Sequence, residues 1–256
     1  MSVDIRRLAT LLDDAARNAT AVAQISATEA LTLEQAYEIQ RQSVERRIAR
    51  GERRVGTNMG FTSRVKMEQM GVSEHIWGRL TDAMIAEDGG TISRKRFVHP
   101  RVEPEVAFLL RKPLSGIVTI VQALDAVEAV APALEIIDSR YENFRFSLTD
   151  VIADNSSSSA LTIGPWNSPH QSLDNLGMTV TVNARPHTFG STAAIMGDPL
   201  RSLVSAARLV AMSGEVLEAG YIVLAGGAMA AFELHVGMHV QLDIEHLGRT
   251  SFTVAD

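Results

Sequence analysis

Val102-Glu103-Pro104-Glu105-Val106-Ala107-Phe108-Leu109-Leu110 reads as an extended strand that carries two carboxylates beside an apolar run. A strand sends residues i and i+2 to one face, so Glu103 and Glu105 point together. Like charges at that spacing repel, and desolvating either costs on the order of several kcal/mol, so something cationic must compensate them. Glu135 repeats the anomaly inside Ala131-Pro132-Ala133-Leu134-Glu135-Ile136-Ile137, where strand neighbours predict an apolar side chain. Three carboxylates without a cysteine suit a hard divalent cation such as Mg2+ or Mn2+, which prefers oxygen ligands. Glu103, Glu105 and Glu135 are therefore the predicted ligands of one metal ion. The E-x-E spacing also fits glutamates on a solvated sheet face, paired with arginines such as Arg101 and Arg140. The strand-embedded Glu135 shifts the balance towards metal.

Outward from this segment, short apolar and β-branched runs recur at 104–111, 132–138, 160–164, 178–183, 220–225 and 238–243, separated by Gly, Pro, Asn and Asp. They predict a β-rich body from about residue 98. One helix interrupts it, opening at Asp198 or Pro199 and carrying Leu200, Leu203, Val204, Ala207, Leu209 and Val210 before Ser213 and Gly214. Upstream, Ile5, Leu8, Leu11, Leu12 and Ala15 form the stripe of an amphipathic helix over 3–17. Thr32 and Gln35 have the form of a capping box that opens a second, long helix running to Gly51. Helices followed by strands predict an α+β protein with a rolled or sandwiched mixed sheet rather than a βαβ succession. The expected organisation is a single catalytic domain over 1–256, helical to about residue 55 and a β-rich metal-binding body from 56 onward.

The 256 residues hold 24 basic and 30 acidic side chains, a net charge of −6, which disfavours non-specific nucleic-acid binding. No cysteine is present, so disulfides, thiolate nucleophiles and Cys-ligated metals are excluded. Charged residues interrupt the first thirty positions, and the nearly apolar stretch Ile222 to Phe232 is too short for a membrane span. The expectation is a cytoplasmic protein with neither a membrane nor a nucleic-acid partner. Only Lys66, Lys95 and Lys112 are lysines, so candidates for Schiff-base chemistry are few. No Gly-rich phosphate loop follows a strand.

Several motifs together carry a family resemblance. Met59-Gly60-Phe61-Thr62-Ser63-Arg64 continues through K-M-E-Q-M-G-V to Trp77-Gly78-Arg79-Leu80-Thr81-Asp82, followed by H-P-R-V-E-P-E, L-E-I-I-D-S-R-Y-E-N-F, A-D-N-S-S-S at 153–158 and A-G-G-A at 225–228. Over essentially its whole length the chain resembles the 4-oxalocrotonate decarboxylase and 2-hydroxypentadienoate hydratase family, within the fumarylacetoacetate hydrolase superfamily. Ile137 to Phe144 and the Met59 motif look more like the decarboxylase branch.

The resemblance implies a mixed β-roll with N-terminal helices, and Mg2+ or Mn2+ on the glutamates matching Glu103, Glu105 and Glu135. It implies decarboxylation of 2-oxo-3-hexenedioate, a small 2-oxo dicarboxylate, to 2-hydroxypenta-2,4-dienoate and CO2 in meta-cleavage catabolism of aromatics. The alternatives are 2-hydroxypenta-2,4-dienoate hydratase, or a weakly active structural partner of such a hydratase. A homo-oligomer and a complex with a hydratase are also implied. One departure stands out: Asn58 occupies the position where the family usually has lysine, and asparagine can hydrogen-bond a substrate oxygen but cannot donate an ammonium proton. Tyr221 is a second departure, at a position where aspartate is frequent. Asp82 is the acid–base or water-positioning candidate, with a turn or cap aspartate as the alternative. Ser63, Arg64, Arg79, Asp154, Asn155 and Ser157 are the substrate-binding candidates, Arg64 or Arg79 for a distal carboxylate. No histidine is assigned a role.

Overall fold

The computed structural model describes residues 3–62 and 75–256. Helix α1 (Ile5–Asn18) opens at Asp4, whose side chain accepts from the Arg7 N–H at 3.0 Å. Helix α2 (Leu33–Ala49) opens on the Thr32–Gln35 capping box, with both reciprocal hydrogen bonds made. Leu8 and Leu12 of α1 and Ala36 and Ile39 of α2 close an apolar cluster with Tyr141 and Val151. Strands β1 (Arg54–Gly60) and β2 (Ile76–Thr81) come next, then the short β3 (Ile85–Ala86) and β4 (Thr91–Ser93). The long strands β5 (Pro100–Leu110) and β6 (Val127–Asp138) bracket α3 (Ile120–Asp125). Helix α4 (Leu148–Ala153) leads into β7 (Ser158–Ile163), β8 (Gly177–Val182) and β9 (Arg185–Ser191). Helix α5 (Pro199–Met212) precedes β10 (Ile222–Leu224), β11 (Phe232–Glu233), β12 (His239–Ile244) and β13 (Gly248–Ala255).

The strands form two mixed sheets. One is ordered β2-β1-β10-β5-β6-β7-β3 with β11 added to β5, the other β4-β13-β12-β8-β9. One face of the first sheet buries Val106, Phe108 and Leu134 in a core shared with Val240, Leu242 and Phe252 of the second. The other face carries Ala107, Ala133, Leu161 and Leu224, closed by Leu80 and Met84. The glutamates belong to this second face, because residues i, i+2 and i+4 of a strand share a side. Among the described residues, no helix is long and apolar enough to cross a membrane.

The predicted α+β class and mixed sheet are present, and the helices expected at 3–17, 32–51 and 199–213 form at Ile5–Asn18, Leu33–Ala49 and Pro199–Met212. The strand expected over 220–225 is shorter: after Leu224 the backbone turns, with Gly226 at φ +99°, to meet Glu105. Strands β1 and β2 were not expected. In β1, R-V-G-T-N-M-G, two glycines dilute the strand signal of Val55 and Thr57, and Gly56 packs against the Ile222 backbone so closely that a Cβ would collide with its carbonyl oxygen.

Candidate metal and substrate site

Antiparallel pairing of β5 with β6 places Glu103 directly opposite Glu135 and Glu105 opposite Ala133. Cross-strand partners share a face, so all three carboxylates meet, with one oxygen of each within 4.8 Å of the others. Glu105 and Glu135 are buried, Glu103 half-buried. Burial, then the charges of Glu135 and Glu103, push the Glu105 carboxyl well above the ordinary carboxylate value. Two supporting bonds are specific. Glu105 Oε2 accepts from the Gly226 N–H at 2.6 Å, and Glu135 Oε1 accepts from the Ser158 hydroxyl at 2.6 Å. Glu105 Oε1 is buried and accepts no hydrogen bond among the described residues. Three converging hard oxygen donors, one of them orphaned, fit a divalent cation; so many carboxylates left without one are electrostatically unfavourable.

Glu103 and Glu135 line a cavity of about 490 Å3. Asn58 lines it too, as register requires: Asn58 pairs with Leu224 and Leu224 with Ala107, on the face that bears Glu105. Asn58 Oδ1 is buried and, like Glu105 Oε1, has no partner among the described residues. Ser156 and Ser157 form part of the wall. With Asn155 they make three successive left-handed residues, at φ +53°, +52° and +64°. Such backbone costs about 1–3 kcal/mol per residue and persists only when its surroundings fix it. Here the Asn155 amide brackets the Arg79 backbone at 2.8 and 2.9 Å, and the Ser156 hydroxyl donates to the Trp77 carbonyl at 2.8 Å. The remaining wall is largely apolar and aromatic, including Phe61, Phe144, Phe146 and Ile137, with Arg101 as its single cation among the described residues.

Of the sequence-predicted site residues, Glu103, Glu105, Glu135, Asn58 and Ser157 come together. Ser63 and Arg64 lie outside the described residues. The others sit elsewhere. Asp82 is at the far end of the β1–β2 pair, half-buried, accepting from the Arg53 N–H at 2.9 Å and its guanidinium at 3.0 Å. It lies four positions beyond Gly78, the register partner of Asn58, roughly 13 Å along a strand. The acid–base expectation for Asp82 is corrected on this ground: it is a turn aspartate. Arg79 is also corrected. Its guanidinium is engaged by Glu215 and Gln40, stacks over Trp77 at 4.4 Å and lines a different cavity of about 640 Å3.

Asp154 and Asn155 build the strained turn rather than line the cavity. Both Asp154 oxygens accept from Arg140, by its backbone N–H and its guanidinium. Burial pushes the Asp154 carboxyl up to about 7 against that pull. The Arg140 alternative for neutralising the glutamates is thereby excluded, since its fork is committed to Asp154 and Ser159. Three contributors escaped the sequence prediction: the Gly226 N–H, the Ser158 hydroxyl and the cavity position of Arg101. Each left a signal, since A-G-G-A and the serine run are both quoted motifs, and Arg101 precedes Glu103 by one strand period.

A family model described as fumarylacetoacetate (FAA) hydrolase C-terminal matches residues 47–255. A 4-oxalocrotonate decarboxylase of Pseudomonas sp is 53% identical over 97% of each chain. A 2-hydroxyhexa-2,4-dienoate hydratase of Comamonas testosteroni is 34% identical over 86% of each chain. Among solved structures, 4-oxalocrotonate decarboxylase from Pseudomonas putida G7, complexed with magnesium and adipate, superposes with a TM-score of 0.94 at 33% identity, covering 98% of this chain and 97% of that one.

Proposed function

Because this chain belongs to the fumarylacetoacetate hydrolase family, we propose that it decarboxylates 2-oxo-3-hexenedioate (4-oxalocrotonate) to 2-hydroxypenta-2,4-dienoate and CO2, with Mg2+ or Mn2+ held by Glu103, Glu105 and Glu135. The observation that carries it is the convergence of these three carboxylates at one cavity, in a chain 53% identical to a 4-oxalocrotonate decarboxylase. The mixed β-roll with N-terminal helices is that of the solved decarboxylase. Residues 1–256 act as one catalytic domain, in the cytoplasm, as a homo-oligomer that also associates with a 2-hydroxypentadienoate hydratase.

The substrate is a vinylogous β-keto acid: when the C6 carboxylate leaves, its electron pair moves through the alkene to the 2-keto oxygen. The divalent ion, when bound, acts as a Lewis acid on that oxygen. The chain supplies the rest. Gly226 N–H and the Ser158 hydroxyl hold two of the glutamates in place for their common ligand. The Asn58 amide faces the same cavity and donates to a substrate oxygen, and Ser157, also in the cavity wall, offers a hydroxyl. The dienolate takes its enol proton from solvent on release, so no side chain has to deliver one to carbon.

The hydratase reading draws on the Comamonas relative. It is the weaker one here, because hydration needs proton delivery to carbon, and asparagine at 58 has no proton to give. The test is a metal-titrated assay on 2-oxo-3-hexenedioate with spontaneous decay subtracted. The wild-type chain is expected to release CO2 in step with substrate loss only when Mg2+ or Mn2+ is present, and Glu135→Ala to lose both this and calorimetric ion binding. Metal-dependent water addition to the dienoate without CO2 release would establish the hydratase instead.

A further inference from the structure

We propose that Arg101 binds the distal carboxylate of the substrate, the one that departs as CO2, and so sets a preference for dicarboxylates; this rests on the decarboxylase function proposed above. The guanidinium is half-buried, lies 4.1 Å over the centre of the Phe144 ring, and has no hydrogen-bond or ion-pair partner among the described residues. Other interior arginines differ: Arg79 and Arg54 hold Glu215, and Arg140 holds Asp154. The neighbouring glutamates share the cavity face, yet none of them pairs with this guanidinium among the described residues, so its donors are left for an anion that enters the cavity. Phe144 is itself braced edge-on by Phe146 at 5.3 Å and His99 at 6.3 Å, so the stack presents the guanidinium in one orientation.

Spacing supports the match. Arg101 and Glu103 are neighbours on the cavity face of β5, their Cα atoms roughly 7 Å apart. A 2-oxo diacid whose C1 carboxylate and keto oxygen lie at the glutamate trio reaches C6 over five carbon–carbon bonds, a comparable span. During the reaction the C6 carboxylate loses its negative charge as the C5–C6 pair moves into the dienolate. Arg101 therefore stabilises the bound substrate more than the transition state, and its loss is felt in KM more than in kcat.

The test compares magnesium-loaded wild-type and R101M enzyme for competitive inhibition by 2-oxohexanedioate and 2-oxohexanoate, which share the 2-oxo acid end and differ only in the distal group. Wild-type is expected to favour the diacid by about tenfold or more, the size of a charged hydrogen-bonded contact. R101M brings that preference to within about twofold of unity, and R101K, which keeps the charge but not the fork, retains part of it. On the substrate itself, R101M raises KM about tenfold with kcat changed by less than about threefold. A preference that survives in R101M, a wild-type enzyme indifferent to the distal group, or a loss confined to kcat overturns the role of Arg101 while the decarboxylase function stands. Wild-type enzyme that binds neither analogue overturns that function, and the Arg101 proposal with it.

Discussion

Asn58 faces the glutamate trio from β1 and offers an amide where the family usually offers an ammonium. Loss of CO2 needs an electron sink and little proton transfer, whereas hydration needs a proton at carbon, so the two reactions respond differently to Asn58→Lys. The expected outcome is a decarboxylation rate within about threefold of wild-type and new hydration of 2-hydroxypenta-2,4-dienoate, both read by ultraviolet absorbance. General acids contribute about 10²–10⁴-fold; a gain of that order in decarboxylation would show that the native site is impaired, favouring the structural-partner role. The carboxylate trio was legible because charge inside an apolar strand is an anomaly visible without coordinates. Arg79 was a candidate through its nearness in sequence to the Met59 motif and Asp82 through the resemblance of its L-T-D motif, yet a strand alternates its faces and runs about 3.3 Å per residue away from any point. Conversely, the i, i+2 rule that paired Glu103 with Glu105 also places Arg101 beside them, although it was weighed only as a partner for the glutamates themselves.

At the scale of elements, α1 is fastened to α2 by one buried carboxylate. Asp13, 2% exposed, accepts from both nitrogens of the Arg50 fork at 2.6 Å and from Arg46 Nε at 2.8 Å. Burial alone raises its carboxyl, but the two guanidinium groups overcome that and hold it below the ordinary value of 3.8. A folded pKa below the unfolded one contributes stability above pH 3.8 that fades as pH falls through the folded value. Asp13→Asn is expected to cost about 1–3 kcal/mol at pH 7, discounted from a fully buried pair because both arginines are one-third or more exposed. The gap between variant and wild-type in urea denaturation narrows at pH 3; an equal gap at both values excludes the ion pair as its source. The first of these helices was readable from its apolar stripe and the second from the Thr32–Gln35 box, and the structure adds Asp4 as the cap of the first. Strand β13 was readable but unread: Thr250, Phe252 and Val254 alternate inward over Gly248–Ala255. Strand β1 was not readable, since Gly56 answers to the Ile222 backbone and Gly60 to the Ile76 side chain, which only tertiary contact reveals.

For the molecule as a whole, the eight-stranded sheet closes around three carboxylates on its two longest strands, so ion binding and fold stability are linked. In the ion-free protein, burial and the neighbouring charges raise the Glu105 carboxyl above its unfolded value. A raised pKa contributes stability that is complete below the unfolded value of 4.5 and lost as pH climbs through the folded one. A divalent ion substitutes for the missing proton, so its benefit to the fold must grow with pH. At a concentration about 100 times its dissociation constant, an ion that binds only the folded state adds about 2.7 kcal/mol. For a chain of this size that corresponds to roughly 5–10 °C in Tm. Magnesium is therefore expected to raise Tm by that amount at pH 8, by much less near pH 5, and by nothing in Glu135→Ala at either. Calorimetric scans with and without chelator measure all of these, and a magnesium shift that is equal at the two pH values would separate ion binding from the carboxylates altogether.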